Sequence, residues 1–433
     1  MKFRWETEFK ETEIGKIPKD WDLKPLGNGD FSIIMGQSPP SKYYNKNGVG
    51  YPFVQGKTEF GEFYIKTSTY TTKCSKIAPK FSVLITVRAP VGELNITKEE
   101  LCIGRGVAAI SSKNGDIARN RFIYYVLKGL NSYVESFGDR GTTYDSITKE
   151  DLKNLQISYP PPPEQSRIAT VLSWFDDLIE NKKKQNEILE KMAMAIFKSW
   201  FVDFEPFQDE EFVYNEELGR EIPKGWEVKK IGEVADFKNG LSYKGSEKFN
   251  EQLEESLVFI TLNNISEGGG FKTEYRWIKS ERIRNHHLLR EGDIILANTE
   301  QTKTGRLLGT PALVIFPPEY SKPVGVFSHH LTKINPKDNT MKYFLYLIFR
   351  LYQRELAQSF HTGTGVWGFD VQNFKTNYSI CIPPPPILQS FHSLVEPLFQ
   401  KIILNQKQIM TLKKIRDALL PQLVFGKLRV EEL

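Results

Sequence analysis

Residues able to do chemistry are plentiful in this chain, but their spacing misses what catalysis requires. Gly56-Lys57-Thr58 ends like a phosphate-binding loop, yet that pattern needs glycine at position 51, where the chain has Tyr51, with Gly50 one place off. His286-His287 and His329-His330 are adjacent pairs rather than the i, i+4 pair that a zinc-binding helix presents. Glu8-Phe9-Lys10 has the spacing of a metal-dependent nuclease, but no aspartate precedes it. Gly268-Gly269-Gly270 lacks the spacing of a dinucleotide fingerprint, and no G-x-S-x-G elbow occurs. The Asn-Pro-Pro-aromatic tetrapeptide that amino-methyltransferases use is also missing, so no catalytic, metal or cofactor residue is assigned.

What remains suits recognition. Basic, amide and aromatic residues fall in expected loops: Lys42, Tyr43, Lys57, Arg88, Arg105, Arg140, Thr142, Thr143 and Tyr144 in the first half, and Lys244, Asn263, Lys303, Arg306, His329, Thr362 and Trp367 in the second. Arg and Lys pair with guanine edges, Asn with adenine, and Lys or Thr with phosphate, so this set can read a major groove. Each taken singly is more often an ordinary surface group, so the assignment rests on the ensemble, and Asn264 beside Asn263 shares it. Whole-chain charge adds nothing: 58 Lys+Arg against 53 Asp+Glu leaves +5.

The elements that position these loops come twice. Ile17-Pro18-Lys19-Asp20-Trp21 returns as Ile222-Pro223-Lys224-Gly225-Trp226, and Pro160–Pro163 with Gln165-Ser166 returns as Pro383–Pro386 with Gln389-Ser390. Gly36-x-Ser38 matches Gly240-x-Ser242, and Phe122-x-Tyr124 matches Phe344-x-Tyr346. Each half reads as mixed α and β. Short β-branched runs at 83–87, 107–110, 293–297 and 312–316 are bounded by Gly, Pro and Asn, and helical spacing covers 117–130 and 341–357. After each proline run a long helix begins. Ile168, Val171, Leu172, Phe175, Leu178, Ile179, Ile188, Leu189, Met192 and Ile196 form one apolar seam, and Phe391, Leu394, Val395, Leu398, Ile402, Ile409, Leu412, Ile415 and Leu419 form the other. Their polar breaks align at an offset of 405 − 181 = 224. A helix from Glu164 to Phe201 spans roughly 55 Å, too long to stand alone, so the two tails are expected to pair as an antiparallel intramolecular coiled coil, a rod between two heads.

The fold class expected is therefore α+β: two mixed α/β recognition domains (1–159 and 206–382) joined by two long antiparallel helices (160–205 and 383–433), with a pseudo-two-fold internal repeat. Cys74, Cys102 and Cys381 are scattered, and reduced thiols in a cytoplasm are expected. No run reaches the roughly 18 apolar residues that cross a bilayer, so no membrane partner is expected.

The joint occurrence of Ile-Pro-x-x-Trp at the start of each half, Pro160–Pro163 followed by Glu164-Gln165, Ala195 to Glu205 (AIFKSWFVDFE), and the ending Leu419 to Leu428 (LLPQLVFGKL) resembles the DNA-specificity subunit of a type I restriction-modification system. The resemblance spans essentially the whole chain. It implies a non-catalytic subunit whose two domains each read one half of a split double-stranded DNA target, with the helical rod as ruler. It also implies two modification (methyltransferase) subunits as partners, with S-adenosylmethionine, ATP and Mg belonging to partner subunits, and leaves open whether a restriction (endonuclease/translocase) subunit joins. One departure is that the second proline run continues Ile387-Leu388-Gln389 in place of Glu164-Gln165. The resemblance transfers no base-contacting residue. The competing reading is a stand-alone two-headed DNA-binding protein.

Overall fold

The computed structural model describes residues 1–131, 134, 146–302 and 304–433. The chain divides into two units, the first made of 1–179 and 412–433 and the second of 180–411. Each unit therefore joins one globular half to stretches of both long helices.

The repeat is realised strand for strand. In the first unit a four-stranded antiparallel sheet runs in the order Phe31–Met35, Val107–Ser112, Val83–Thr86, Leu94–Ile96. In the second unit the order is Ala235–Asn239, Leu331–Pro336, Ile294–Ala297, Pro311–Leu313. Beside each lies a five-stranded mixed sheet whose central parallel pair is Tyr51–Val54 with Leu101–Ile103 in one unit and Leu257–Ile260 with Gly325–Phe327 in the other. Val83 to Ile85 and Ile294 to Ala297 are buried on both faces, which is why these strands read as continuous apolar runs rather than alternating ones. The expected run over 312–316 is a strand only over Pro311–Leu313. Helices Ile117–Gly129 and Lys342–Ser359 cover the sheets. Asp116 caps the first, its carboxylate accepting from the N–H groups of Ala118 at 2.9 Å and Arg119 at 3.2 Å.

Two small residues explain the repeated Gly-x-Ser. A Cβ on Gly36 would sit 2.1 Å from the Gly104 carbonyl oxygen, and one on Gly240 would sit 2.2 Å from that of Ser328. Both glycines let the edge strand cross directly over the turn that ends the neighbouring sheet. Gly426 matters for another reason: it ends the second long helix at φ +69° and abuts Pro18 and Trp21, so the sequence ending packs on the opening Ile-Pro-x-x-Trp.

The long helices are Pro162–Phe201 and Pro385–Val424. They are antiparallel within each unit. In the first, Asp176 meets Arg416 while Ser158, just ahead of the first helix, meets Val424 at 2.6 Å. In the second, Asn186 meets Asn405 at 2.9 Å and Phe197 meets Phe391. The seam itself differs from the expected one. Leu178, Ile188, Met192, Leu394 and Ile415 are exposed, whereas Asp176, Asn186, Asn405 and Arg416 are buried. Polar residues hold these inward positions by bonding to each other across the pair: Asp176 meets Arg416, and Asn405 Nδ2 donates to Asn186 Oδ1, which lowers the cost of burying them although Asn186 Nδ2 and Asn405 Oδ1 have no partner among the described residues. The register also differs by one. Ile168, Leu172, Ile179, Asn186, Phe197 and Phe201 are buried in one helix, and Phe391, Val395, Ile402, Ile409, Leu420 and Val424 in the other, a constant offset of 391 − 168 = 223. Asn405 therefore corresponds to Lys182, not Asn181.

The cysteine expectation is corrected as well. Cys74 and Cys102 form a disulfide with Cα atoms 5.7 Å apart, while Cys381 is free and buried. Cys102 pairs with Ile77 across the strand Leu101–Ile103, and the short loop ahead of Ile77 brings Cys74 alongside. Linear separation of 28 residues hid this proximity. No described helix is long and apolar enough to cross a membrane.

Candidate nucleic-acid interface

In the first unit, backbone bonds gather several of the expected residues at one end of the sheets. Arg105 lies in the turn between Leu101–Ile103 and Val107–Ser112, and its N–H donates to Ser38 Oγ at 3.1 Å, which ties that turn to the segment carrying Lys42 and Tyr43. The Val87 N–H donates to the Gly106 carbonyl at 2.9 Å, so Arg88 emerges beside the same turn. Arg88, Arg105 and Lys42 are exposed, and Arg88 and Arg105 form no ion pair among the described residues. Tyr43 is half-buried and faces two ammonium groups, Lys42 at 5.3 Å and Lys73 at 5.4 Å from its ring centre. Lys57 is exposed too, but it is paired with Glu93, whose N–H donates to Thr86 Oγ1 at 3.0 Å on the neighbouring hairpin. Its charge is thus partly neutralised. Arg140, Thr142, Thr143 and Tyr144 lie outside the described residues.

The equivalent end of the second unit uses the same frame with other chemistry. His329 occupies the turn that corresponds to Arg105, its N–H donating to the Leu241 carbonyl at 3.0 Å. Its exposed ring lies 6.0 Å from Tyr243, which in turn packs on Phe259 as Tyr44 packs on Phe53. The Asn298 N–H donates to the His330 carbonyl at 3.0 Å, and Thr299 Oγ1 lies 3.0 Å from His330 Nδ1. Burial and the neighbouring His329 hold His330 below the usual histidine range. Trp367 stacks on His361 at 4.4 Å in a three-stranded ribbon, Thr299–Glu300, Trp367–Phe369 and His361–Thr362, which also carries Thr362. Lys244 and Asn263 are exposed on the loops after the corresponding strands. Asn264 is different: it is buried, with Nδ2 donating to the carbonyls of Lys272 at 3.0 Å and Glu274 at 2.7 Å, so its role is to hold its own loop. Lys303 lies outside the described residues.

Arg306 lies beside Arg354, Gln353 and Glu267 around a cleft of about 290 Å³. The loop that carries it is organised by a residue the sequence reading passed over. Glu300 is 1% exposed, and its carboxylate accepts from Thr302 Oγ1 (2.6 Å), Thr304 Oγ1 (2.7 Å), and the N–H groups of Thr304 (2.9 Å), Leu307 (2.9 Å) and Leu308 (2.8 Å). Burial alone would raise its pKa. The hydroxyl and backbone donors outweigh that and hold it at about 2. Gln353 closes the loop from the other side, donating to the Gly305 and Leu308 carbonyls at 2.9 and 2.6 Å. Tyr243, Thr299 and His361 were also missed; the pairing of Gly240-x-Ser242 with Gly36-x-Ser38 was the available signal for Tyr243.

Comparison with known proteins returns one family. A family model described as the type I restriction modification DNA specificity domain matches twice, over residues 18–191 and 223–414. The chain is 42% identical over 447 residues to the type I restriction enzyme MjaIX specificity subunit of Methanocaldococcus jannaschii, covering 100% of this chain and 99% of that protein. It is 26% identical over 441 residues to the MjaVIII specificity subunit of the same organism, covering 100% and 99%. Among solved structures, the S subunit of a type I restriction-modification system from M. genitalium superposes with a TM-score of 0.57 at 19% identity, over 93% of this chain and 96% of that one, a likeness of fold.

Proposed function

Because the chain belongs to the type I restriction-modification DNA specificity family, matching it once in each half, we propose that it is the non-catalytic DNA-reading subunit of such a system, each half reading one part of a split duplex target. The observation that carries this is the pairing of matching sheet frames with different loop chemistry. Arg105, Arg88 and Lys42 stand in the first unit where His329, Thr299 and the Tyr243 loop stand in the second. An unchanged frame with changed side chains is what reading two different half-sequences requires. The two 40-residue helices, each continuous through both units, set the spacer between the half-sequences.

Methyl transfer and ATP-dependent cleavage belong, in this reading, to partner subunits that bring S-adenosylmethionine, ATP and Mg. Two modification subunits dock along the helices, and a restriction subunit joins where the cell supplies one. Support for a partner on the helices comes from their exposed apolar side chains. Trp174 and Leu178 recur as Ile188 and Met192, each 14 residues or two heptads on, all four 44% exposed or more.

The test is selection from a random duplex library by the chain assembled with its modification partner. The expected product is two fixed half-sequences around an unread spacer. Recovery of a continuous motif, or binding with neither sequence nor salt dependence, would overturn the proposal. Tight, specific binding by the chain alone would favour a stand-alone binder.

A further inference from the structure

The two copies are alike in outline but not in how polar groups are placed between them. At the constant offset of 223, the buried Asp176 corresponds to Phe399 and the buried Arg416 to Ala193. Asp176 bonds to Arg416 and accepts from Tyr125 Oη at 2.6 Å, whereas Phe399 packs against Tyr343 at 4.7 Å and Tyr346 at 5.3 Å. One layer is ionic and its counterpart is aromatic. The same holds at the helix entry. Glu164, buried, accepts from Trp21 Nε1 at 3.2 Å and from Arg429 Nε and Nη2 at 2.6 and 2.8 Å. Position 164 corresponds to Ile387, and past the helix ends, where Phe204 (φ +54°) matches Gly426 (φ +69°), Arg429 over the Trp21 ring corresponds to Phe207 against Trp226, whose buried Nε1 has no partner among the described residues and lies among Phe201, Phe204 and Phe207. Asn186 and Asn405 correspond to Ile409 and Lys182.

Every one of these pairs takes one residue from each copy. From this we infer that the buried pairs Asp176–Arg416, Glu164–Arg429 and Asn186–Asn405 form a pairing code that makes the first copy select the second, and that excludes pairing of either copy with another molecule's identical copy. The argument is a substitution of partners. If two first copies paired in this register, Asp176 would face Ala193, Asn186 would face Lys182 and Glu164 would face Phe207. If two second copies paired, Arg416 would face Phe399, Asn405 would face Ile409 and Arg429 would face Ile387. Pairing of first copies buries Asp176 and Glu164 with no counter-charge, while pairing of second copies takes every acidic partner from Arg429 and leaves Arg416 only the half-exposed Asp417 of its own helix, each twice over by symmetry, and a lone buried charge is far costlier than an apolar layer. Apolar seams alone would not discriminate, since the aliphatic and aromatic layers of both helices are interchangeable. On the proposed function, the code keeps two different reading heads together and the target asymmetric, since a pair of identical heads would read a palindrome.

The test uses the full chain, folded and then cut in place at a protease site inserted between the exposed residues Asp209 and Glu210. Cut isotope-labelled and unlabelled pools are mixed until labelled and unlabelled fragments have exchanged, and pairings are read by native mass spectrometry. Wild type should give the mixed pair, with homotypic pairs below roughly 1% of the total, because each unpaired buried charge disfavours pairing by roughly a hundredfold. Asp176→Phe with Arg416→Ala turns the ionic layer into a copy of the Phe399–Ala193 layer, and should raise the homotypic fraction by roughly tenfold or more. The milder Asp176→Asn with Arg416→Gln covers the case in which that variant does not fold, and should move the fraction the same way. Homotypic pairs at statistical proportion in wild type, or no rise in either variant, would overturn the inference. The readout involves no DNA, so it fails or succeeds separately from the reading function.

Discussion

At the scale of single residues, two exposed arginines and one buried glutamate make the interface testable. Replacing Arg88 or Arg105 by alanine should weaken DNA binding in competition assays. A base contact will relax specificity in the first half-sequence alone by about 1–3 kcal/mol, whereas a phosphate contact will weaken all sequences alike and lower the salt slope by about one. Lys57→Ala should do less than either, because Glu93 already shares its charge. Glu300→Gln should disorder the Arg306 loop and affect only the half read by the second unit. Its contribution to stability also has a pH signature. The carboxyl is held at about 2 against an ordinary 4.5, so its stabilisation is complete above about 4.5 and is lost as the pH falls toward about 2. The difference in melting temperature between wild type and Glu300→Gln should narrow over that window; a constant difference would show that the charged form is not what holds the loop. Trp21 and Trp226 give a paired comparison. Trp21→Phe loses a bond to a carboxylate that Trp226→Phe does not, and should cost about 1.5–3 kcal/mol more in chemical denaturation. Such residues were only partly legible in sequence. Residue type and loop position were enough to find Arg105 and His329, which the fold places in equivalent turns. Glu300 was invisible because its partners, Thr302 to Leu308, are backbone and hydroxyl donors that any sequence offers, and only the loop's closure makes them converge.

At the scale of elements, the long helices were readable in length and direction but not in their contacts. Heptad spacing gave two apolar seams, and their antiparallel pairing holds inside each unit. The seam membership failed at Leu178, Ile188 and Met192 because spacing cannot tell an apolar residue facing a partner helix from one facing outward. It failed at Asp176 and Arg416 for the opposite reason: a buried charge is tolerable only beside its counter-charge, which lies 240 residues away in sequence. Arg416→Ala alone should therefore cost about 3–5 kcal/mol by leaving Asp176 buried and unpaired. The disulfide was missed on similar grounds, since strand pairing of Cys102 with Ile77 sets the distance to Cys74. The ruler role of the helices has its own test. Matched insertions of seven residues after Asn181 and after Thr411 lengthen the pair by about 10 Å while preserving the heptad. The preferred spacer should grow by about three base pairs with both half-sequences unchanged. An unchanged spacer would remove the helices from that role.

At the scale of the whole molecule, the internal repeat was the most informative feature of the sequence, because a duplicated frame with divergent loops implies two related readings rather than one. The two family matches and the strand-for-strand equivalence of the sheets rest on the same duplication. The central claim is that this chain directs modification to a bipartite sequence. The most direct measurement is base-by-base mapping of methylation on random-sequence DNA in cells that co-express the chain with its modification partner. The account predicts a split motif with one methylated base in each half and an unread spacer of fixed length. Methylation of a continuous motif, or none from a folded complex, would contradict it.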